Sequence, residues 1–144
     1  MGIEKVGCNK RKNVLIILFI VYILLTLSLT LLIREPLGKE LIQTKWFLGY
    51  KSSNIKLIHR DNLFNFLLFV PIGIFFGQIC NKYKIVYAVL MGLFLSETIE
   101  CSQLIWQLGT FDVDDLFFNT LGAFVGGVLT VIIALVKRLN KNSF

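Results

Sequence analysis

Two glutamates and a glutamine, Glu97, Glu100 and Gln103, are spaced three residues apart in the otherwise apolar run IVYAVLMGLFLSETIECSQLIWQL. That spacing is close to one helical turn, so side chains so placed are neighbours along a helix surface. Together they offer acceptors, donors and negative charge, a set suited to holding a polar head group. Carboxylates in unlike surroundings can also serve as general acid and base, or hold a hard cation such as calcium or magnesium. Similar groups recur nearby: Asp112, Asp114 and Asp115 in GTFDVDD, Asn65 in DNLFNFLLF, and Asn119 in LFFNTLG. The single histidine, His59, has no nucleophile at a recognisable spacing, and reads as an ordinary interfacial residue. Cys8, Cys80 and Cys101 have no metal-ligand spacing; the last two sit in or beside apolar runs and read as small core hydrophobes.

The elements that must position these groups are membrane helices. The chain has 144 residues, 56% of them hydrophobic, and a mean hydropathy of +0.73, above the roughly 45–50% apolar content of soluble domains. Crossing a hydrocarbon core of about 30 Å takes about 20 helical residues. Four stretches reach that length: 14–33, 62–80, 85–108 and 116–136. The expected fold is an all-α integral membrane protein with four transmembrane helices in a single domain, 1–144. Residues 34–61 are expected to hold an interfacial or re-entrant segment, since LIQTKWFLGY is partly amphipathic and Trp46 and Tyr50 suit a membrane interface. The first run is longer than a signal-peptide core and no small-x-small cleavage site follows, so it reads as an anchor.

The net charge of +6 does not point to nucleic acid, because the basic residues lie in short tracts beside the apolar runs. Nine flank the two ends and the second connection: Lys5, Lys10, Arg11, Lys12, Lys82, Lys84, Lys137, Arg138 and Lys141. Six lie in the first connection, at Arg34, Lys39, Lys45, Lys51, Lys56 and Arg60, and the third connection has only acids. The balance predicts both termini in the cytoplasm.

With that orientation, Glu100 and Gln103 fall about 5 and 10 Å toward the outside from the middle of the third run. Asn65 and Asn119 each fall about 10 Å above the centre of their own runs. Three carboxamides are thus expected at one depth, below a rim of Asp112, Asp114 and Asp115. A charge at a helix centre costs about 2.5–3.5 kcal/mol on insertion scales, so both glutamates are expected to face the interior. Asp115, Asn119, Gly122, Ala123 and Gly126 follow helical spacing as one small and polar stripe. Gly73 and Gly77 form a small-xxx-small pair, and Pro71 is expected to kink the second run. Asp114 or Asp115 could cap the fourth helix.

Two stretches together resemble the VanZ-like family of small bacterial membrane proteins, named for a teicoplanin-resistance protein. DNLFNFLLFVPIGIFFG, residues 61–77, looks like the family's Asn–apolar–Phe–x–Pro–x–Gly block. ETIECSQLIWQLGTFDVDDLFFNTLGAFVGG, residues 97–127, is similar to its Glu-x-x-Gln, Gly-x-Phe-Asp-x-Asp-Asp and Asn-Thr-x-Gly series. The matching positions are Asn65, Pro71, Gly73, Glu100, Gln103, Gly109, Phe111, Asp112, Asp114, Asp115, Asn119, Thr120 and Gly122. Thr110 stands where many members carry a basic residue. The resemblance implies a multi-pass protein of the bacterial plasma membrane with a role in low-level resistance to teicoplanin and related lipoglycopeptides.

The favoured expectation is a binding module whose outward-facing vestibule holds a membrane lipid, an envelope precursor or the lipid-tailed antibiotic. Its ligand-binding residues would be Asn65, Glu97, Glu100, Gln103, Asp112, Asp114, Asp115 and Asn119. A carboxylate- or metal-dependent enzyme acting on a lipid head group and a small proton-linked transporter are the alternatives. No catalytic residue, cofactor or resident metal is assigned, no nucleic acid is implied, and nothing sets an oligomeric state.

Overall fold

In the computed structural model, which describes residues 3–32, 41–43, 55–80, 82–108 and 110–141, the four apolar runs are helices. They are α1 (Ile3–Leu27, continued by a π-helical turn over Ser28–Leu32), α2 (Ile55–Ile79), α3 (Lys84–Ile105) and α4 (Val113–Lys141). All four contain a stretch long and apolar enough to cross a membrane. Helices are the natural answer there, because backbone groups in lipid must be satisfied within the segment. Two three-residue strands were not expected: β1 (Leu41–Gln43) and β2 (Thr110–Asp112) pair in parallel, with Ile42 opposite Phe111. The first connection thus reaches the third one. The expected interfacial segment otherwise falls on residues outside the described ones, apart from 55–61, which already belong to α2.

The chain divides into two compact units, residues 1–35 and 36–144. The first holds α1, whose aliphatic side chains from Val14 to Leu25 are largely exposed. Its hydroxyls turn back on their own helix: Thr26 donates to the Tyr22 carbonyl at 3.0 Å, and Ser28 to that of Leu24 at 2.8 Å. Such back-bonding satisfies hydroxyls without a partner helix and loosens the local ladder, in keeping with the widening to a π-turn at Ser28.

The second unit is a bundle of α2, α3 and α4, in which α2 and α4 share the most extensive interface. Lipid supplies no hydrophobic force between helices, so close packing of small residues takes its place. At Gly126 a β-carbon would lie 2.7 Å from the Ile74 nitrogen and 2.9 Å from Gly73 Cα, and one at Gly73 would strike the Ala123 carbonyl. The two backbones touch only because both positions are glycine. On the other side of α4, Gly92 of α3 faces Ala123, and Gly127 faces Ala88. These contacts make α2 parallel and α3 antiparallel to α4. Phe69, Ile72, Ala88, Ile99 and Ala123 form the buried apolar core, while Phe64, Leu67, Leu90, Phe94, Ile132 and Ile133 remain exposed.

Two turns set the ends of α3. Tyr83 adopts a left-handed conformation (φ 57°, ψ 37°) before the helix, and Lys84 Nζ donates to the Gly77 carbonyl at 2.9 Å, satisfying an end group of α2. At the far end the Leu108 amide reaches the Gln103 carbonyl at 2.8 Å and that of Gln107 reaches Leu104 at 3.2 Å. Gln107, with φ 54°, occupies the left-handed position of this Schellman closure. Helix α2 runs on through Pro71.

Candidate functional site

The buried face of α3 comprises Ala88, Gly92, Ser96, Ile99, Glu100 and Gln103. Its lower part is small and admits α4; its upper part is polar. Ser96, Glu100 and Gln103 are 0%, 1% and 1% exposed. Opposite them the turn into α4 folds back. The Asp112 amide donates to Glu100 Oε2 at 2.9 Å, and Asp112 Oδ1 accepts from the Asp114 amide at the same distance. Asp112 is therefore the residue that caps α4, rather than Asp114 or Asp115. A carboxylate before Val113 can reach the second helical N–H, whereas Asp114 and Asp115 already lie in the first turn, where they complement the helix dipole. Asp114 is buried and Asp115 half-buried.

Deeper in the bundle Asn119 Nδ2 donates to Ser96 Oγ at 2.9 Å. The expectation of three carboxamides at one depth fails here. Since Ala123 lies against Gly92 and Asn119 against Ser96, Asn119 stands about 10 Å below the level of Gln103. Helix α4 projects well beyond the α2–α3 turn, so its own midpoint is not that of the bundle. Asn65 is half-buried, and the fully enclosed amide on α2 is instead Asn62, one turn earlier and 6% exposed. Two amide atoms in this region, Asn62 Nδ2 and Asn119 Oδ1, are buried with no hydrogen-bond partner among the described residues.

Glu97 does not join the group. It is exposed, on a shallow groove of about 300 Å³ along α3 with Phe94, Thr98, Cys101, Ser102 and Ile105. At about 100° per residue it lies roughly 120° around the helix from the centre of the buried stripe, while Glu100 lies at the stripe's edge. Cys101 shares the exposed face, so it is not the core residue expected. Among the described residues no three His, Cys, Asp or Glu side chains come together as a metal-binding group.

The VanZ/LLP1 family model matches residues 14–134 of the chain. The protein belongs to the VanZ-like family. No curated protein and no solved structure gives a match. In this VanZ-like protein the two sequence blocks that carried the resemblance pack against one another along the three-helix bundle. Gly73 meets Ala123 in the α2–α4 contact, Glu100 and Asp112 clasp the α3–α4 connection, and Asn119 and Gly122 continue down α4. Reading residues alone missed Ser96 and Asn62. Ser96 could have been found, because it precedes Glu100 by four residues and Gln103 by seven and so completes their stripe. Asn62 gave no comparable signal, because it stands at the edge of the apolar run beside Asp61.

Proposed function

We propose that this VanZ-like membrane protein binds the polar head group of a lipid, an envelope precursor or a lipid-tailed antibiotic at the cluster around Glu100. Through that binding it contributes to low-level resistance to teicoplanin and related lipoglycopeptides. The observation that carries the reading is the pair of orphan amide atoms, a donor on Asn62 and an acceptor on Asn119. They lie in the polar half of a bundle that also buries Glu100, Gln103 and Asp114. A buried polar atom without a partner costs about 1–3 kcal/mol, and a ligand offering both an acceptor and a donor would recover it. Bulk lipid tails offer neither. The basic-residue balance of the connections supports an opening toward the exterior, where lipoglycopeptides act. Competing with the antibiotic there, or altering what it meets at the outer leaflet, would lower susceptibility.

The test is expression in a susceptible bacterium, with teicoplanin inhibition compared for wild type, Glu100→Gln and Glu97→Gln at matched membrane levels. Wild type and Glu97→Gln are expected to protect alike, and Glu100→Gln to fall back toward the empty host. Equal protection by wild type and Glu100→Gln would remove Glu100 from the mechanism. Absence of protection by all three would leave the family's resistance role without support in this member.

A further inference from the structure

At the end of the bundle away from the polar cluster, the α2–α3 turn and α4 enclose an open cleft of about 460 Å³. It is lined by Lys82, Tyr83, Lys84, Ile85, Val86 and Val131. Its chemistry is mixed in a particular way: two ammonium groups stand beside three aliphatic side chains. Neither cation is placed by chance. Lys84 Nζ is tethered to the Gly77 carbonyl at 2.9 Å, and Lys82 Nζ stands 4.8 Å from the centre of the Tyr83 ring. Between them Tyr83 has a left-handed backbone, with φ 57°.

Depth narrows the ligand. The 22 residues of α3 rise about 33 Å, just more than the hydrocarbon thickness of about 30 Å, so the Lys84 end of α3 lies at head-group level. Helix α4 passes this level and continues to Lys141. Arg138 follows Val131 by seven residues, so it repeats on the same face about 10 Å farther out. The cleft thus offers apolar walls toward the bilayer, two cations at its mouth and a third on the adjoining helix face.

We propose that this cleft is a binding site for an anionic phospholipid. The phosphate lies between Lys82 and Lys84, a charged or hydroxylated head group extends toward Arg138, and an acyl chain runs along Ile85, Val86 and Val131. The site is separate from the Glu100 cluster and does not depend on the function proposed for that cluster. A free phosphate would meet the same cations, but it has no use for the aliphatic walls.

The experiment uses the full chain in nanodiscs of equimolar phosphatidylglycerol and phosphatidylcholine with identical acyl chains, and native mass spectrometry to count retained lipid. Wild type is expected to retain phosphatidylglycerol in preference. Lys82→Gln and Arg138→Gln are each expected to lower the retained ratio about fivefold, the effect of about 1 kcal/mol per cation near an anionic head group. Lys137→Gln, whose side chain departs from the Val131 face by about 120°, is expected to change the ratio less than twofold. Lys84 is left intact because its ammonium also closes α2. No preference in wild type would overturn the proposal. So would equal losses from Lys137→Gln and Lys82→Gln, which would indicate diffuse surface charge, or displacement of the lipid by millimolar inorganic phosphate.

Discussion

Glu100 and Glu97 occupy one helix a single turn apart, yet they are different chemical groups. Glu100 is 1% exposed and accepts the Asp112 amide, while Glu97 lies on the open face beside Thr98 and Cys101. Removing one partner of a buried hydrogen bond costs about 1–3 kcal/mol. Glu100→Ala is therefore expected to destabilise the bundle by about that amount and Glu97→Ala by under about 0.5 kcal/mol, as read by thermal unfolding in one detergent. Equal losses would erase the distinction between them. Asn62 should behave in the opposite sense. Its Nδ2 is buried without a partner among the described residues, so Asn62→Leu removes an unmet donor and is expected to stabilise the protein by about 1 kcal/mol. In the same variant protection against teicoplanin should fall, the usual trade between stability and a binding site. A destabilised Asn62→Leu would mean that the amide is satisfied and the ligand reading has lost its main support. At this scale the sequence was legible in residue types but not in facing. Three-residue spacing puts Glu97 and Glu100 about 60° apart on a helix, close enough for one to be buried and the other not, and only the packing of neighbouring elements decides which.

At the scale of elements, helix identity followed from hydropathy, and the small stripe of α4 followed from spacing. Gly122, Ala123 and Gly126 are all buried, as their period implies. The contact between α2 and α4 is the part of the fold with least tolerance. Gly126→Val would drive a branched side chain into the Val70 carbonyl and the Ile74 nitrogen. The expected loss is about 1–3 kcal/mol or more, with lower yield of folded protein in a fluorescence-detected gel-filtration profile. Gly77→Ala should be milder, since it meets the Thr130 side chain rather than backbone. Similar profiles for both variants would mean that the helices can separate without cost. Register was not legible, because nothing in one helix says which residue of another it meets. That is why Asn119 was expected level with Gln103 and is found against Ser96. The β1–β2 ribbon escaped for a related reason: two three-residue strands far apart in the chain carry no periodic signal of their own.

For the whole molecule, the two sites sit at opposite ends of one bundle, so their environments depend on which end faces out. Four crossings would bring both termini to the same side, and the charge count predicts which side that is. Lys82, Lys84, Lys137, Arg138 and Lys141 all gather at the end of α2–α4 that holds the basic cleft, whereas Asp112, Asp114 and Asp115 gather at the other. Lysine and arginine in short connections are held on the cytoplasmic side, and acids contribute little. The six basic residues of the first connection oppose this balance, and a direct measurement decides the orientation. With the native cysteines replaced by serine, single cysteines at exposed positions would be probed by a membrane-impermeant maleimide: Gln107→Cys, Lys82→Cys and Lys137→Cys. Gln107→Cys is expected to react in intact cells, and the other two only after the membrane is opened. The reverse pattern would put the Glu100 cluster inside the cell, beyond the reach of an external lipoglycopeptide. It would also turn the basic cleft toward the outer leaflet. Binding of a head group at Glu100 could survive that inversion, but a direct encounter with the antibiotic could not.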